Sequence, residues 1–466
     1  TCIEYRETAP AAASAKMFAP GESMLTAKAV GVPGTVRGLA LAHHRFGRRP
    51  WKELVMPAVR LAAVGFAVDR PLADSLNGVL AGKNVPAEFR RIYGPAKNDK
   101  WRPGDRMVLP ELAATLRLLA EQGPDAFYRG SIARAIVAEM SKQDGLITLV
   151  DLAAYEARER KPIHGTFRGY DIYGPPPPSA GGICLVEMLN ILETEDLAAR
   201  GRWSPEVMHL TIEAMRRAYC DRTRYLGDPD FVRIPEHLIT KEYAKKLAAE
   251  ISRDRATKSE SLAPDIPLVP EGEQTTHFSI IDRDGMAIAN TYTLEQSYGS
   301  RIVVRGAGFL LNNEMGDFNR QPGRTDRKGA VGTDANVAAP RKRMLSSQTP
   351  TIVARSGKVV LVTGSPGDRT IINTVLGVVL GVLEFREDVN SAVDAPRLHH
   401  GWFPDEVFFE GAKDARYAAS LAKLRELGHR VSLPPHHQGD AHTIFVGNGS
   451  YWGAADGRRR GAAAGY

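Results

Sequence analysis

Cysteine is scarce in this chain, and the three residues present, Cys2, Cys184 and Cys220, exclude a disulfide scaffold. None of them forms the Cys-x-x-Cys pair used by zinc and redox sites. Long hydrophobic runs are lacking too. The most apolar stretch, Ile371 to Leu383, is broken by Asn373, Thr374 and two glycines, and falls short of the roughly 20 residues a membrane span needs. No charged-then-apolar leader opens the chain, which begins at Thr1, so an upstream piece is expected to be absent from this sequence. Charge of one sign does not dominate: 61 basic residues against 54 acidic give a net +7. The short runs Arg341 to Arg343 and Arg458 to Arg460 read as solvated surface, and no nucleic-acid partner is expected. No Gly-x-x-x-x-Gly-Lys-Ser/Thr loop indicates a nucleotide. His399, His400, His436, His437 and His442 share no ligand spacing with a carboxylate or cysteine, so neither metal nor other cofactor is expected.

What is present is the composition of a folded globular chain: 466 residues, 43% hydrophobic and 25% charged. Disorder, collagen and coiled coil are excluded. The first half reads as helices. Thr35 to Phe46 follows a Val-Pro-Gly entry, and Trp51 to Phe66 places Trp51, Leu54, Val55, Ala58, Leu61 and Ala62 on one expected core face. The run Tyr173 to Gly182 interrupts regular structure before an apolar helix from Ile183 towards Leu192. Proline and acidic residues collect between Lys258 and Gln274, where a boundary is placed. From Thr275 the period switches to strands, with Phe278 to Ile281, a turn at Arg283 to Gly285, and a returning strand from Met286 to Thr293. A further strand, Val359 to Thr363, runs into Gly364-Ser365-Pro366-Gly367-Asp368 and a helix from Arg369, a geometry that presents backbone amides to an anion.

The segment Gln274-Thr275-Thr276-His277-Phe278-Ser279 carries two readings. A β-branched residue starting a strand is one. The other is an N-terminal nucleophile: a threonine hydroxyl is weak unless a base is adjacent, and a freed α-amino group, with a pKa of roughly 7.7 to 8.0, is such a base. That solution requires cleavage before Thr275. His277 alternates to the opposite strand face from Thr276 and reads as structural.

Thr275-Thr276-His277-Phe278-Ser279 resembles the processing site of the γ-glutamyltransferases, or γ-glutamyl transpeptidases, of the N-terminal-nucleophile hydrolases. Further blocks resemble the family in the same order: Glu4 to Pro10, Gly31 to Val36, Pro177 to Gly182, Glu213 to Phe231, Thr291 to Thr293, Leu311 to Met315, Leu345 to Ser347, Gly364 to Gly367, and Gly453 to Asp456. The resemblance implies an α+β fold, a four-layer αββα sandwich. It implies a precursor that cuts itself between Gln274 and Thr275 into a helical large region, 1–274, and a small region, 275–466, which stay associated as a heterodimer. The implied activity is cleavage of the γ-glutamyl amide of glutathione and related compounds through a γ-glutamyl-threonine acyl-enzyme, with transfer to water, an amino acid or a peptide. Family positions imply that Thr293 orients the Thr275 hydroxyl, with Thr291 supporting the same strand. They imply an oxyanion hole at the amides of Gly367 and Asp368, a carboxylate grip at Arg6, Ser346 and Ser347, and an ammonium site at Glu314 and Asp317. Exported family members imply a periplasmic or extracellular location.

The sequence departs from the family in four places. Glu295 stands where asparagine is common and adds a third acid beside the substrate ammonium. Asp368 replaces the second glycine of the turn, so a side chain and a negative charge crowd the expected oxyanion site. Lys328 lies where many members carry an aromatic lid residue. Family members usually have a further segment before the block holding Arg6. These departures leave two alternatives open: an acylase of the same fold acting on glutaryl β-lactams, and an unprocessed homologue acting as a binding protein.

Overall fold

A computed structural model describes residues 1–96, 99–263, 275–323 and 333–465. The helices used below are α1 (Thr35–Phe46), α2 (Trp51–Val64), α3 (Gly181–Leu192), α4 (Pro205–Tyr225) and α5 (Ile371–Leu383). The strands are β1 (Ile163–Phe167), β2 (Tyr170–Gly174), β3 (Thr276–Ile281), β4 (Ala287–Tyr292), β5 (Thr351–Arg355), β6 (Lys358–Thr363), β7 (His442–Gly447) and β8 (Ser450–Ala455).

Six strands form one antiparallel sheet in the order β8-β7-β6-β5-β2-β1. Its register pairs Leu361 with Phe445 and Ile172 with Val353. Helices α3, α4 and α5 cover one face, where Ile172, Val353 and Leu361 join Leu185, Met215 and Leu376 in the largest core. The sheet takes strands from both sides of the expected cut: β1 and β2 precede residue 274, and the other four follow it.

The hairpin β3–β4 packs against β5, β6 and β7 as a second, two-stranded sheet. Its pairing sets Thr276 opposite Tyr292 and His277 opposite Thr291. Period-two alternation turns His277, Ser279, Ala289 and Thr291 towards the large sheet and leaves Phe278, Ile280 and Ile288 about half exposed. The usual polarity of a hairpin is inverted here, because polar groups face inward and bond across the layers. Ser279 Oγ donates to His442 O at 2.8 Å.

Two expectations are corrected. On α2 the buried residues are Val59 and Ala62, while Leu54 and Leu61 of the expected core face are 50% and 57% exposed. The run Arg341 to Arg343 is not solvated surface. Only Arg341 is exposed, whereas Lys342 donates to Ala335 O and Arg343 pairs with Glu4 at 2.7 Å, both side chains buried. A buried cation with a local carboxylate or carbonyl is indistinguishable in composition from a solvated one.

The close approach of the layers is sharpest at Gly364. A Cβ there would lie 2.1 Å from His277 Cε1. Gly364→Ala is therefore expected to destabilise by roughly 1–3 kcal/mol, the usual cost of overpacking. Gly78→Ala, at a helical position with no atom within 4 Å of the new Cβ, is expected to be neutral or stabilising. Urea unfolding of the two variants checks this, and equal stabilities would contradict the packing argument.

Candidate active site

Four features fix the turn after β6. Gly364 leaves room for the His277 ring. Ser365 Oγ donates to Pro366 O at 2.6 Å and accepts from Asp440 N at 2.9 Å. Gly367 has φ +126°, and its Cβ would stand 2.9 Å from Gly439 Cα. Thr370 bonds back to Gly367 O through both its amide, at 3.0 Å, and its hydroxyl, at 2.6 Å. Asp368 then sits at φ +52°, in the left-handed region that favours glycine. A single 3₁₀ turn, Asp368–Thr370, leads into α5, which begins at Ile371 rather than at the expected Arg369.

This turn forms one wall of a cleft of about 380 Å³ that opens to solvent. Thr275, Thr293 and Asp368 line it together, and so do Glu295, Asp317, Ser346 and Ser347. Arg222 of α4 also lines the cleft, donating through Nη2 to Ser347 Oγ at 3.1 Å. Sequence reasoning did not single out Arg222. Its signal was the density of charge on α4, where Glu213, Arg216, Arg217, Asp221 and Arg222 occupy a helix that is buried along its middle. Thr293 Oγ1 accepts from Glu295 N at 2.8 Å, which closes a tight turn with Glu295 at φ +75°. Gln274 and Lys328 lie outside the described residues.

Arg6 and Glu314 stand behind the cleft. The Arg6 guanidinium is buried, with Nη1 2.6 Å from Glu314 and Nη2 bonded to Asp317. In this arrangement its fork is held by acids of the same chain. Burial opposes charge on Arg6, but Glu314, Asp317 and Glu7 outweigh it and raise its pKa. Burial pushes Glu314 well above the usual carboxylate range against the pull of Arg6, with Glu7, Asp317 and Glu295 adding repulsion. Glu7 rises to about 7 for the same first reason. Three carboxyl groups, of Glu314, Asp317 and Glu7, thus lie within 4 Å of one guanidinium, and Glu295 acts on Glu314 from the cleft wall.

Thr291, expected to support the strand of Thr293 at the substrate site, does not line the cleft. Its hydroxyl lies 2.8 Å from His277 Nδ1, on the face of the hairpin turned towards the sheet. Because the Ser279 hydroxyl proton is directed at His442 O, His277 Nε2, 3.1 Å from Ser279 Oγ, is the donor there. Nδ1 therefore accepts from Thr291, which assigns the Nε2–H tautomer. Among the described residues, one further group gathers metal-type donors: His209, Glu213 and His429. The two rings bond each other at 2.8 Å, and Glu213 pairs with both Arg216 and Arg217, so this donor set is committed and the local charge opposes a cation.

Burial, and then the neighbouring His442, lowers His277 to about 3. An unfolded histidine takes up its proton near 6.5. Hence this group's contribution to stability is present above about pH 6.5 and is lost as pH falls from there towards 3. Nitrogen-15 NMR of histidine-labelled protein is expected to show His277 as the neutral Nε2–H tautomer at both pH 7 and pH 5. Protonation at pH 5 would contradict the assignment.

The sequence model of the family described as Gamma-glutamyltranspeptidase matches residues 1–466. A glutathione hydrolase proenzyme of Escherichia coli (strain K12) is 44% identical over 473 residues, covering 98% of this chain and 80% of the relative. A glutathione hydrolase proenzyme of Pseudomonas aeruginosa is 40% identical over 469 residues, covering 98% and 83%. Among solved structures, cephalosporin acylase from Bacillus halodurans superposes with a TM-score of 0.83 at 23% identity, covering 98% of this chain and 83% of that one. That likeness carries the layered αββα fold alone.

Proposed function

The chain belongs to the γ-glutamyltranspeptidase family, and on that premise we propose that it is a self-processing γ-glutamyltransferase and glutathione hydrolase with Thr275 as its nucleophile. What supports the reading most is one juxtaposition: Thr275, Thr293 and the Asp368 turn share a cleft with an acidic set and a guanidinium. In maturation the Thr275 hydroxyl adds to the carbonyl carbon of Gln274, the C–N bond breaks, and water hydrolyses the ester. Regions 1–274 and 275–466 then remain together, because strands of both build the six-stranded sheet. An exported location, periplasmic or extracellular, goes with this reading.

In the mature enzyme the freed α-amino group of Thr275 takes the hydroxyl proton as Oγ attacks the γ-carbonyl of the substrate. Thr293 orients the hydroxyl. The amides of Gly367 and Asp368 receive the developing oxyanion, for which each donor is typically worth about 3–4 kcal/mol. Collapse expels the amine and leaves the γ-glutamyl ester, which water or an amino acid or peptide removes. The substrate ammonium lies among Glu295, Glu314 and Asp317, and its carboxylate is held by Arg6, Ser346 and Ser347. Binding exchanges partners: as the ammonium draws Asp317, the Arg6 fork turns to the carboxylate. A glutaryl group lacks the ammonium and leaves this acidic set uncompensated, so the field favours γ-glutamyl over glutaryl compounds.

Denaturing mass spectrometry is expected to resolve two chains of the wild type, the smaller beginning at Thr275, and one uncut chain of Thr275→Ala. Cleavage of the alanine variant, or cleavage elsewhere, would overturn the nucleophile. Asp368→Gly keeps the amide, removes the charge from the oxyanion site and relieves the left-handed strain. It is expected to raise kcat on γ-glutamyl-p-nitroanilide on the order of fivefold, about 1 kcal/mol, with KM little changed. A lower kcat would show that the carboxylate assists turnover.

A further inference from the structure

The cleft of Thr275 carries a guanidinium to which the acyl-transfer chemistry assigns no part. Among the described residues that line it, Arg222 is the one cation, set against Glu295, Asp317 and Asp368. Arg6 stands behind the wall, its fork held by Glu314 and Asp317. Arg222 is buried near the end of α4. Arg216 and Arg217 of the same helix pair with Glu213, whereas Arg222 pairs with no carboxylate among the described residues.

Its hydrogen bond goes instead to Ser347 Oγ, at 3.1 Å. An arginine N–H can only donate, so the serine oxygen accepts and the hydroxyl proton is turned away from the guanidinium. Among the described residues that proton meets no acceptor. Ser346 beside it is arranged alike: its Oγ accepts from Gln348 N at 3.0 Å, and its proton is likewise uncommitted. The backbone between them is fixed, with Ala180 N donating to Ser346 O and Thr349 Oγ1 to Ser347 O, both at 2.8 Å. Two oriented O–H donors therefore line the cleft side by side, and a carboxylate has the two oxygens to accept from both.

We propose that Arg222 is a positioning residue for the substrate: it holds the Ser347 hydroxyl with its proton directed into the cleft, where the α-carboxylate of the γ-glutamyl group accepts it. This rests on the γ-glutamyl reading given above. Helix α4 supplies the rigidity such a role needs, being buried without interruption from Val207 to Thr223. The α-carboxylate lies at the far end of the substrate from the amide that breaks. What Arg222 contributes is therefore the same before and during bond breaking, and its loss falls on KM.

Steady-state hydrolysis of γ-glutamyl-p-nitroanilide by the cleaved protein, run as a double-mutant cycle, tests this role. Arg222→Met is expected to raise KM about tenfold, with the loss in KM and not in kcat, and Arg222→Lys, which keeps the charge and a donor, about threefold. In a Ser347→Ala background Arg222→Met is expected to change KM by less than about twofold, because the group it positions is gone. An unchanged KM, an equal rise in both backgrounds, or a loss confined to kcat overturns the proposal. If Arg222→Met does not fold or does not cleave itself, the cycle is closed with Arg222→Lys, and an unchanged KM or an equal rise in both backgrounds overturns it there. A wild type without activity on this substrate refutes the γ-glutamyl reading itself, whereas an active wild type indifferent to residue 222 refutes the positioning role alone.

Discussion

A neutral imidazole with no free space around it joins the strand that follows Thr275 to the turn that ends β6. His277 is two residues from the candidate nucleophile, and its ring fills the place where any side chain at residue 364 would stand. The same ring accepts from Thr291 on the partner strand and, through Ser279, is linked to His442 on β7. Hairpin, turn and large sheet therefore hold a single register, and a displacement of one moves the others. Were the ring charged, both nitrogens would donate, and the bond from the Thr291 hydroxyl to Nδ1 would be lost. Burial keeps the ring neutral and so preserves the network that fixes the distance between Thr275 and the Gly367–Asp368 amides.

The second constraint is electrostatic and pulls the other way. One buried guanidinium, Arg6, faces Glu314 and Asp317, with Glu7 beside it and Glu295 at the cleft wall. Such a cluster stabilises a fold poorly, because desolvation of several like charges offsets much of the attraction. It is well suited to a ligand that brings an ammonium and a carboxylate together, since that ligand supplies one charge to each side and adds no net charge to the cluster. Glu295 and Asp317 line the cleft while Glu314 lies behind it, and Asp317, its side chain 21% exposed, is the more open of the two.

Local pattern in the sequence was reliable wherever one neighbour dictates conformation. Helix α1 spans the residues its periodicity indicates, the hairpin turns where Arg-Asp-Gly indicates, and β6 runs into its glycine-rich turn at Thr363. The exposed Leu54 and Leu61 of α2, the buried Arg343 and the role of Arg222 were not legible in the same way. Each depends on which distant surface arrives: period 3.6 finds an apolar stripe but not what covers it, and a basic residue shows no sign of the carboxylate that will meet it. Thr291 illustrates the limit within the site itself. Motif order places it beside Thr293, and period two would give both the same face, but β4 ends at Tyr292 and the Thr291 hydroxyl meets His277 instead of the cleft.

The turn that carries the candidate oxyanion amides is held from several directions, and this bears on how a charged residue is tolerated there. Gly439 closes against Gly367 on one side and His277 against Gly364 on another. On a third, Tyr219 Oη donates to Arg369 O, and Arg369 Nη2 donates to Gly401 O at 2.7 Å. Helix α5 below is buried along almost its whole length and cannot slide without opening the main core. Against so many fixed points, the left-handed strain of Asp368 has no route of relaxation through the backbone, so its cost, roughly 1–2 kcal/mol for a residue with a Cβ, is carried locally. The amide at 368 consequently keeps its direction whether glycine or aspartate occupies the position, and the substitution acts on charge and crowding at the candidate oxyanion site rather than on the geometry of its donors.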